Sequence, residues 1–433
     1  MKWILSICIV LSCFISVWAQ KTAFPISDIA SLYKKAEAES YVVLMRRHDE
    51  SIALLTEKAA LANVFSIKAP LNANAINNTL LPVNFIPGEI FGGPAGSFKE
   101  VQFGQQYISS FTFSPQVDIV QAARIAEVPM SKTLHKLEKL QTTQAIVQLK
   151  NELATRYFSL LAYREQLTIL NLASIQADSL ITLVNSRREK GMATAQEVND
   201  ARIYSLQQHQ ELEKVRNLIA LQNESIDALF GDSVQIALTA SWFVELPTDM
   251  PPISTQLTSD IAALQFTYAS QNLRKVRLDQ LPALSLMSNF AWQNNSNVRL
   301  FDPAQRWIQS QYVGLRLNWD LPVSATRITS LSLAKIGTDQ AQLGLRQANA
   351  QATLVKAKLE TESANASIQL RAADEIVTLE KDSYEHVVNR FDAGLLDSED
   401  LLRAHRKVIQ SQLNAVAAKA SFAITLENMR NSR

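Results

Sequence analysis

The chain has 433 residues, with 42 Lys and Arg against 41 Asp and Glu, 47% hydrophobic residues and only 11 glycines. A near-zero net charge leaves no basic footprint for nucleic acid, and the apolar fraction excludes a disordered chain. What remains is a mostly helical composition.

In chain order, Met1 and Lys2 precede an apolar run from Trp3 to Trp18, with Val17 and Ala19 ahead of a cut. This reads as a secretory signal peptide over 1–19. Both cysteines, Cys8 and Cys13, lie inside it, so a mature chain starting near Gln20 has no thiol for a disulfide or a thiolate metal site. A lipidated start at Cys13 is the alternative leader. It is disfavoured because Phe14 to Trp18 carries the apolar run past that cysteine. Beyond the leader no stretch approaches the ~20 apolar residues of a spanning helix, which leaves a soluble chain or a β-barrel.

The rest is a duplication. Arg187, directly before "REKGMATAQEVNDAR", and Gly191 within it are matched 203 residues downstream by Arg390 and Gly394 of "NRFDAGLLDSEDLLRAH". The first repeat covers 20–230, a connection 231–254 and the second repeat 255–433. Repeat one opens with a helix over Ser27 to Ala60, and repeat two with one over Thr255 to Gln280. Each then has two stretches that alternate with period two, at 63–77 and 101–114 and at 283–293 and 307–319. Ile67, Leu71, Ala73 and Ala75 share one face opposite Lys68, Asn72 and Asn74, and Val313, Leu315 and Leu317 lie opposite Ser310, Arg316 and Asn318. Each stretch reaches the ~9 to 11 residues of a tilted membrane strand, with aromatics near the ends. The segments Asn77 to Glu100 and Gln293 to Arg306 read as outward loops.

Helical hairpins follow, at 116–230 and 323–430. Ile146, Leu149, Leu153, Tyr157, Leu160, Tyr163, Leu167 and Leu170 form one stripe of a long helix beginning at Met130. The two turns fall at Gly191 and Gly394, where glycine supplies the positive φ of a tight reversal. Each long helix is matched by two shorter ones laid end to end.

Four strands cannot close a barrel, and an open edge in lipid leaves backbone groups unpaired. Copies must associate, and three give twelve strands with room for a lumen.

The order of elements, with "YVGLRLNWDLPVSATRITSLSLAK" leading into a long helix, resembles the TolC family of outer-membrane efflux proteins over essentially the whole mature chain. The resemblance implies a mainly α fold with a membrane β-barrel: four strands per protomer, a twelve-stranded trimeric barrel and a long α-helical barrel reaching into the periplasm. It implies a homotrimer in the outer membrane, acting as a passive export conduit with a periplasmic adaptor and an inner-membrane pump. It also implies that the glycine turns mark the periplasmic mouth, where Asp400 and Glu197, each six residues past its glycine, are gate candidates. Arg403 and Phe391 stand at positions where relatives carry an acid and a tyrosine, and Leu396 where they carry an arginine, so the closed-state lock is expected to differ. Gly191, Met192, Ala193, Thr194, Gly394, Leu395 and Leu396 are candidates for adaptor docking. The plainer reading of the acids is a solvated cluster that starts a helix.

No catalytic constellation is legible. His48, His135, His209, His386 and His405 are scattered without ligand spacing and read as helix-surface residues. No cofactor, metal or enzymatic activity is expected. The competing reading is a periplasmic or surface coiled-coil scaffold, which explains the helices but not the paired alternating segments.

Overall fold

A computed structural model describes residues 28–230 and 253–432. The leader and residues 231–252 of the connection lie outside the described residues.

The helices are α1 (Ile29–Glu39), α2 (Tyr41–Ala62), α3 (Ala122–Glu189), α4 (Ala195–Phe230), α5 (Gln256–Leu278), α6 (Ala325–Asp392) and α7 (Ser398–Asn431). The strands are β1 (Ile67–Lys68), β2 (Leu71–Asn77), β3 (Val83–Pro87), β4 (Phe98–Gln102), β5 (Tyr107–Phe113), β6 (Gln116–Val120), β7 (Ala283–Ser296) and β8 (Ile308–Asn318). The duplication is kept to the residue in the helices. α3 and α6 each have 68 residues, roughly 100 Å at 1.5 Å per residue, and α3, α4, α6 and α7 begin 203 residues apart in pairs (122 and 325, 195 and 398).

Two compact units cut across the repeats: one is Ser51–Leu137 with Ala262–Leu345, the other Met1–Glu50, Glu138–Ile261 and Arg346–Arg433. The first holds the sheet. β1 and β2 form one interrupted strand and β5 and β6 another, both antiparallel to their neighbours. The order across is β1/β2, β5/β6, β7, β8. Among the described residues, β1/β2 and β8 are edges with a single partner.

Register sorts the side chains by chemistry. The pairs Leu71↔Phe113, Phe113↔Phe290 and Phe111↔Trp292 put apolar groups on one face, with Leu284↔Leu317 and Leu286↔Leu315 continuing it. The pairs Asn72↔Thr112, Asn74↔Ser110, Ser110↔Gln293, Ser285↔Arg316 and Ala291↔Ser310 make the other face polar. At the outward end of the apolar face, loop 297–307 folds back. Phe301 N–H donates to Ser109 Oγ at 2.9 Å, and Trp307 stacks on Phe111 at 5.7 Å.

Several sequence expectations shift here. The second strand lies at 107–120 rather than 101–114. Gly104, at φ 131°, turns the chain, and Val101 pairs with Asn84 in a separate β3–β4 hairpin within the expected outward loop. Pro70 and Pro115, which have no N–H for the ladder, fall at the breaks between β1 and β2 and between β5 and β6. The third strand runs on to Ser296. The first helix is two, broken at Ser40, whose ψ of 130° leaves the helical region. α3 starts at Ala122, not Met130: Pro129 sits inside the helix, where it removes one hydrogen bond without ending it. Contrary to the expectation for the mature chain, α3 also contains a window apolar enough in composition to cross a membrane. Part of α3 is spent on packing, with Leu153, Leu160 and Leu161 buried against Leu32 and Val43 of α1 and α2 and Ile226 of α4.

Helix stubs anchor the sheet within its unit. Arg124 pairs with Asp118 at 3.0 Å, Trp319 Nε1 donates to the Gln280 carbonyl at 3.1 Å, and Lys275 of α5 pairs with Glu127 of α3 at 3.2 Å.

Candidate functional site

The hairpin tips lie in the second unit. α3 ends in a two-bond motif: Met192 N–H donates to the Arg187 carbonyl at 2.8 Å and Gly191 N–H to the Arg188 carbonyl at 2.9 Å. α6 ends the same way, with Leu395 N–H to Arg390 at 2.9 Å and Gly394 N–H to Phe391 at 3.0 Å. This Schellman geometry needs a left-handed residue after the helix, and Gly191 and Gly394 supply it at φ 73° and 75°.

The returning helices then start on caps. Thr194 Oγ1 accepts Glu197 N–H at 3.2 Å while a Glu197 carboxylate oxygen accepts Thr194 N–H at 2.6 Å, a reciprocal capping box. That backbone hydrogen bond, ahead of the contact with the Thr194 hydroxyl, holds the Glu197 carboxyl below the usual range. Its other oxygen accepts Ser398 N–H from the second hairpin at 3.4 Å. In α7 the cap is Asp397, which accepts Asp400 N–H at 2.9 Å. Asp400 and Glu197 therefore occupy the same third helical position. Asp400 keeps its carboxylate partly exposed, 3.6 Å from Arg403, which also donates to Glu399 at 2.6 Å.

Phe391 points inward. It is 1% exposed, packed with Val184, Val198, Ala201, Leu401 and Leu402. The Arg187 guanidinium lies 3.7 Å over its ring and donates to its carbonyl at 2.9 Å, so one side chain clamps the C-terminal end of α6 by cation–π contact and hydrogen bond together. Deeper in, His405 is buried, correcting the expectation of a surface histidine. Its Nδ1 lies 2.7 Å from the Tyr204 hydroxyl and its Nε2 2.8 Å from Gln176 Oε1, with the Tyr384 ring 5.4 Å away. Both contacts fit a neutral ring that donates from Nε2 and accepts at Nδ1. Burial pushes its pKa down to about 4.

Of the docking candidates, Met192 and Leu395 are strongly exposed at 61% and 69%, whereas Ala193 and Leu396 turn partly into the core beneath. Thr194 is committed to its cap. The sequence reading missed Arg187, Tyr204 and Gln176 as partners, because they meet residues about 200 positions away and only the repeat hints at the pairing. Among the described residues no group of His, Cys, Asp and Glu is arranged to hold a metal.

Residues 260–432 match the family model described as outer membrane efflux protein. No match was found among curated protein sequences. The fold is similar to that of the outer membrane protein VceC of Vibrio cholerae, at 16% identity and a TM-score of 0.75 over 93% of this chain and 95% of that one. It is similar also to the CmeC outer membrane channel of Campylobacter jejuni, at 14% identity and a TM-score of 0.74 over 96% and 90%. A membrane protein from Pseudomonas aeruginosa aligns at 15% identity and a TM-score of 0.76 over 93% of both chains. The second repeat matches the outer membrane efflux protein model, and nearly the whole chain has the TolC-like architecture of solved outer-membrane channels.

Proposed function

We propose that this chain is the exit duct of a tripartite efflux or secretion system. Three copies close a twelve-stranded barrel in the outer membrane and continue it as a helical barrel into the periplasm. The duct is a passive conduit, supplied by an inner-membrane pump through a periplasmic adaptor. The carrying observation is the four-stranded sheet, apolar on one face, polar on the other and unpaired at β1/β2 and at β8. In hydrocarbon each unpaired backbone group costs several kcal/mol, so those edges demand partners. Two copies would give a barrel filled by its own side chains, while three leave a polar-lined lumen.

In this reading the tips form the periplasmic mouth. Threefold symmetry gathers three copies of Asp400 about one axis, with Glu197 and Arg403 beside them and Phe391 fixing the wall behind. Exposed Met192 and Leu395, presented by the turns at Gly191 and Gly394 with Ala193, Thr194 and Leu396, offer the adaptor an apolar contact.

Measuring the mass of the detergent-purified mature protein and its conductance in planar bilayers tests this. Trimers that conduct are expected. A water-soluble monomer that leaves bilayers silent overturns the reading.

A further inference from the structure

The duplication allows a contact made inside one copy to be carried over to the junction between copies. Within the copy, the two hairpins meet through complementary pairs: Arg187 on Phe391 at 3.7 Å, Tyr204 with His405 at 2.7 Å and Glu165 with Lys419 at 3.2 Å. In a ring of alternating first and second hairpins, the next junction joins the second hairpin of one copy to the first hairpin of its neighbour. Its residues follow by moving each first-hairpin partner one repeat forward and each second-hairpin partner one repeat back. Arg187 on Phe391 becomes Arg390 on Arg188, Tyr204 with His405 becomes Lys407 with Arg202, and Glu165 with Lys419 becomes Ile368 with Arg216.

Each of these three pairs loses its complementarity in the translation, whereas the Glu197 contact with the Ser398 N–H keeps its type as Asp400 facing the Ala195 N–H. The aromatic ring under the clamping guanidinium is replaced by a second guanidinium, a buried neutral hydrogen bond by an ammonium facing a guanidinium, and an ion pair by an arginine against an aliphatic side chain. Arg188, Arg202, Arg390 and Lys407 are all exposed in the single copy, as the flanks of an interface left open would be. Glu189 and Asp392 flank Arg188 and Arg390 and temper the net charge, but neither supplies the ring. Like charges brought together resist close approach.

We propose that the hairpin tips of neighbouring copies meet across a cation-rich seam, in contrast to the locked junction inside each copy, and that the assembly parts along this seam. The partner surface is a second copy of this chain. The inference rests on the trimeric channel proposed above.

The test is single-channel recording of Arg390→Glu, which puts an acid against the neighbour's Arg188. Three exposed ion pairs, each worth a factor of about two, are expected to lower open probability about tenfold. The double variant Arg188→Glu/Arg390→Glu restores repulsion and is expected to return it to wild type. Unchanged gating of Arg390→Glu in intact trimers overturns the seam. A wild-type protein that neither trimerises nor conducts overturns the channel reading instead. Should Arg390→Glu fail to assemble, Arg188→Cys/Arg390→Cys in the otherwise thiol-free mature chain decides: oxidation links different copies if the seam is right, and disulfides only within single chains reject it.

Discussion

Tyr204 and His405 lie on corresponding helices of the two repeats and share a buried 2.7 Å hydrogen bond that couples the hairpins beneath their tips. The groups around the imidazole are Tyr204 from α4, Tyr384 from α6 and Gln176 from α3, with Arg406 over the Tyr204 ring, so no carboxylate among these contacts steadies a protonated ring.

That geometry fixes a pH dependence. The folded pKa, pushed to about 4, lies below the ordinary 6.5, so below pH 6.5 the unfolded chain takes up a proton that the folded one refuses. The stabilisation is complete above 6.5 and is lost as pH falls toward 4, at about 1.4 kcal/mol per pH unit. Denaturant unfolding between pH 7 and 5 is expected to show this slope in wild type and a shallower one in His405→Gln. Equal slopes reject the assignment.

Gly394 has open space where a Cβ would sit, so the whole cost of Gly394→Ala is conformational. A left-handed alanine costs about 1 kcal/mol, and asparagine at the same position less. Limited proteolysis around residues 390–397 is expected to quicken in the order Gly, Asn, Ala. A rate that ignores the substitution would place the turn in another backbone region.

Leu315 and Ser310 stand on opposite faces of β8. Leu315→Arg puts a charge on the apolar face at a cost of about 2–4 kcal/mol near the bilayer midplane, whereas Ser310→Arg adds it to the polar face. Recovery of folded protein in the outer-membrane fraction is expected to collapse for the first and hold for the second. Equal recovery would mean that the apolar face does not meet lipid.

Asp400 keeps its carboxylate partly exposed, 3.6 Å from the Arg403 guanidinium. Asp400→Ala is expected to reduce cation selectivity and weaken block by polyvalent cations. Glu197→Gln, whose carboxylate is spent on the Thr194 cap, acts mainly on stability, by about 1 kcal/mol. Identical selectivity in wild type and Asp400→Ala removes the gate assignment.

Alternation in Leu71 to Asn77 and in β8 was enough to name the two faces of the sheet, and the recurrence of Arg187-Gly191 as Arg390-Gly394 was enough to locate both turns. These are local signals: period and glycine conformation are properties of a few consecutive residues. The position of the second strand was not legible, because Val101 and Phe103 alternate as well as Phe111 and Phe113 do. Only pairing with β3 on one side and β7 on the other separates them.

The tip shows the same division. Sequence alone determined the duplication, the glycine reversals, the helix-starting acids and the amphipathic strands. Tertiary structure decided that Phe391 turns inward under Arg187 and that His405 is buried against Tyr204. The reason is physical: burial and hydrogen-bond partnership are set by chains of contact some 200 residues apart, and no local pattern carries that distance.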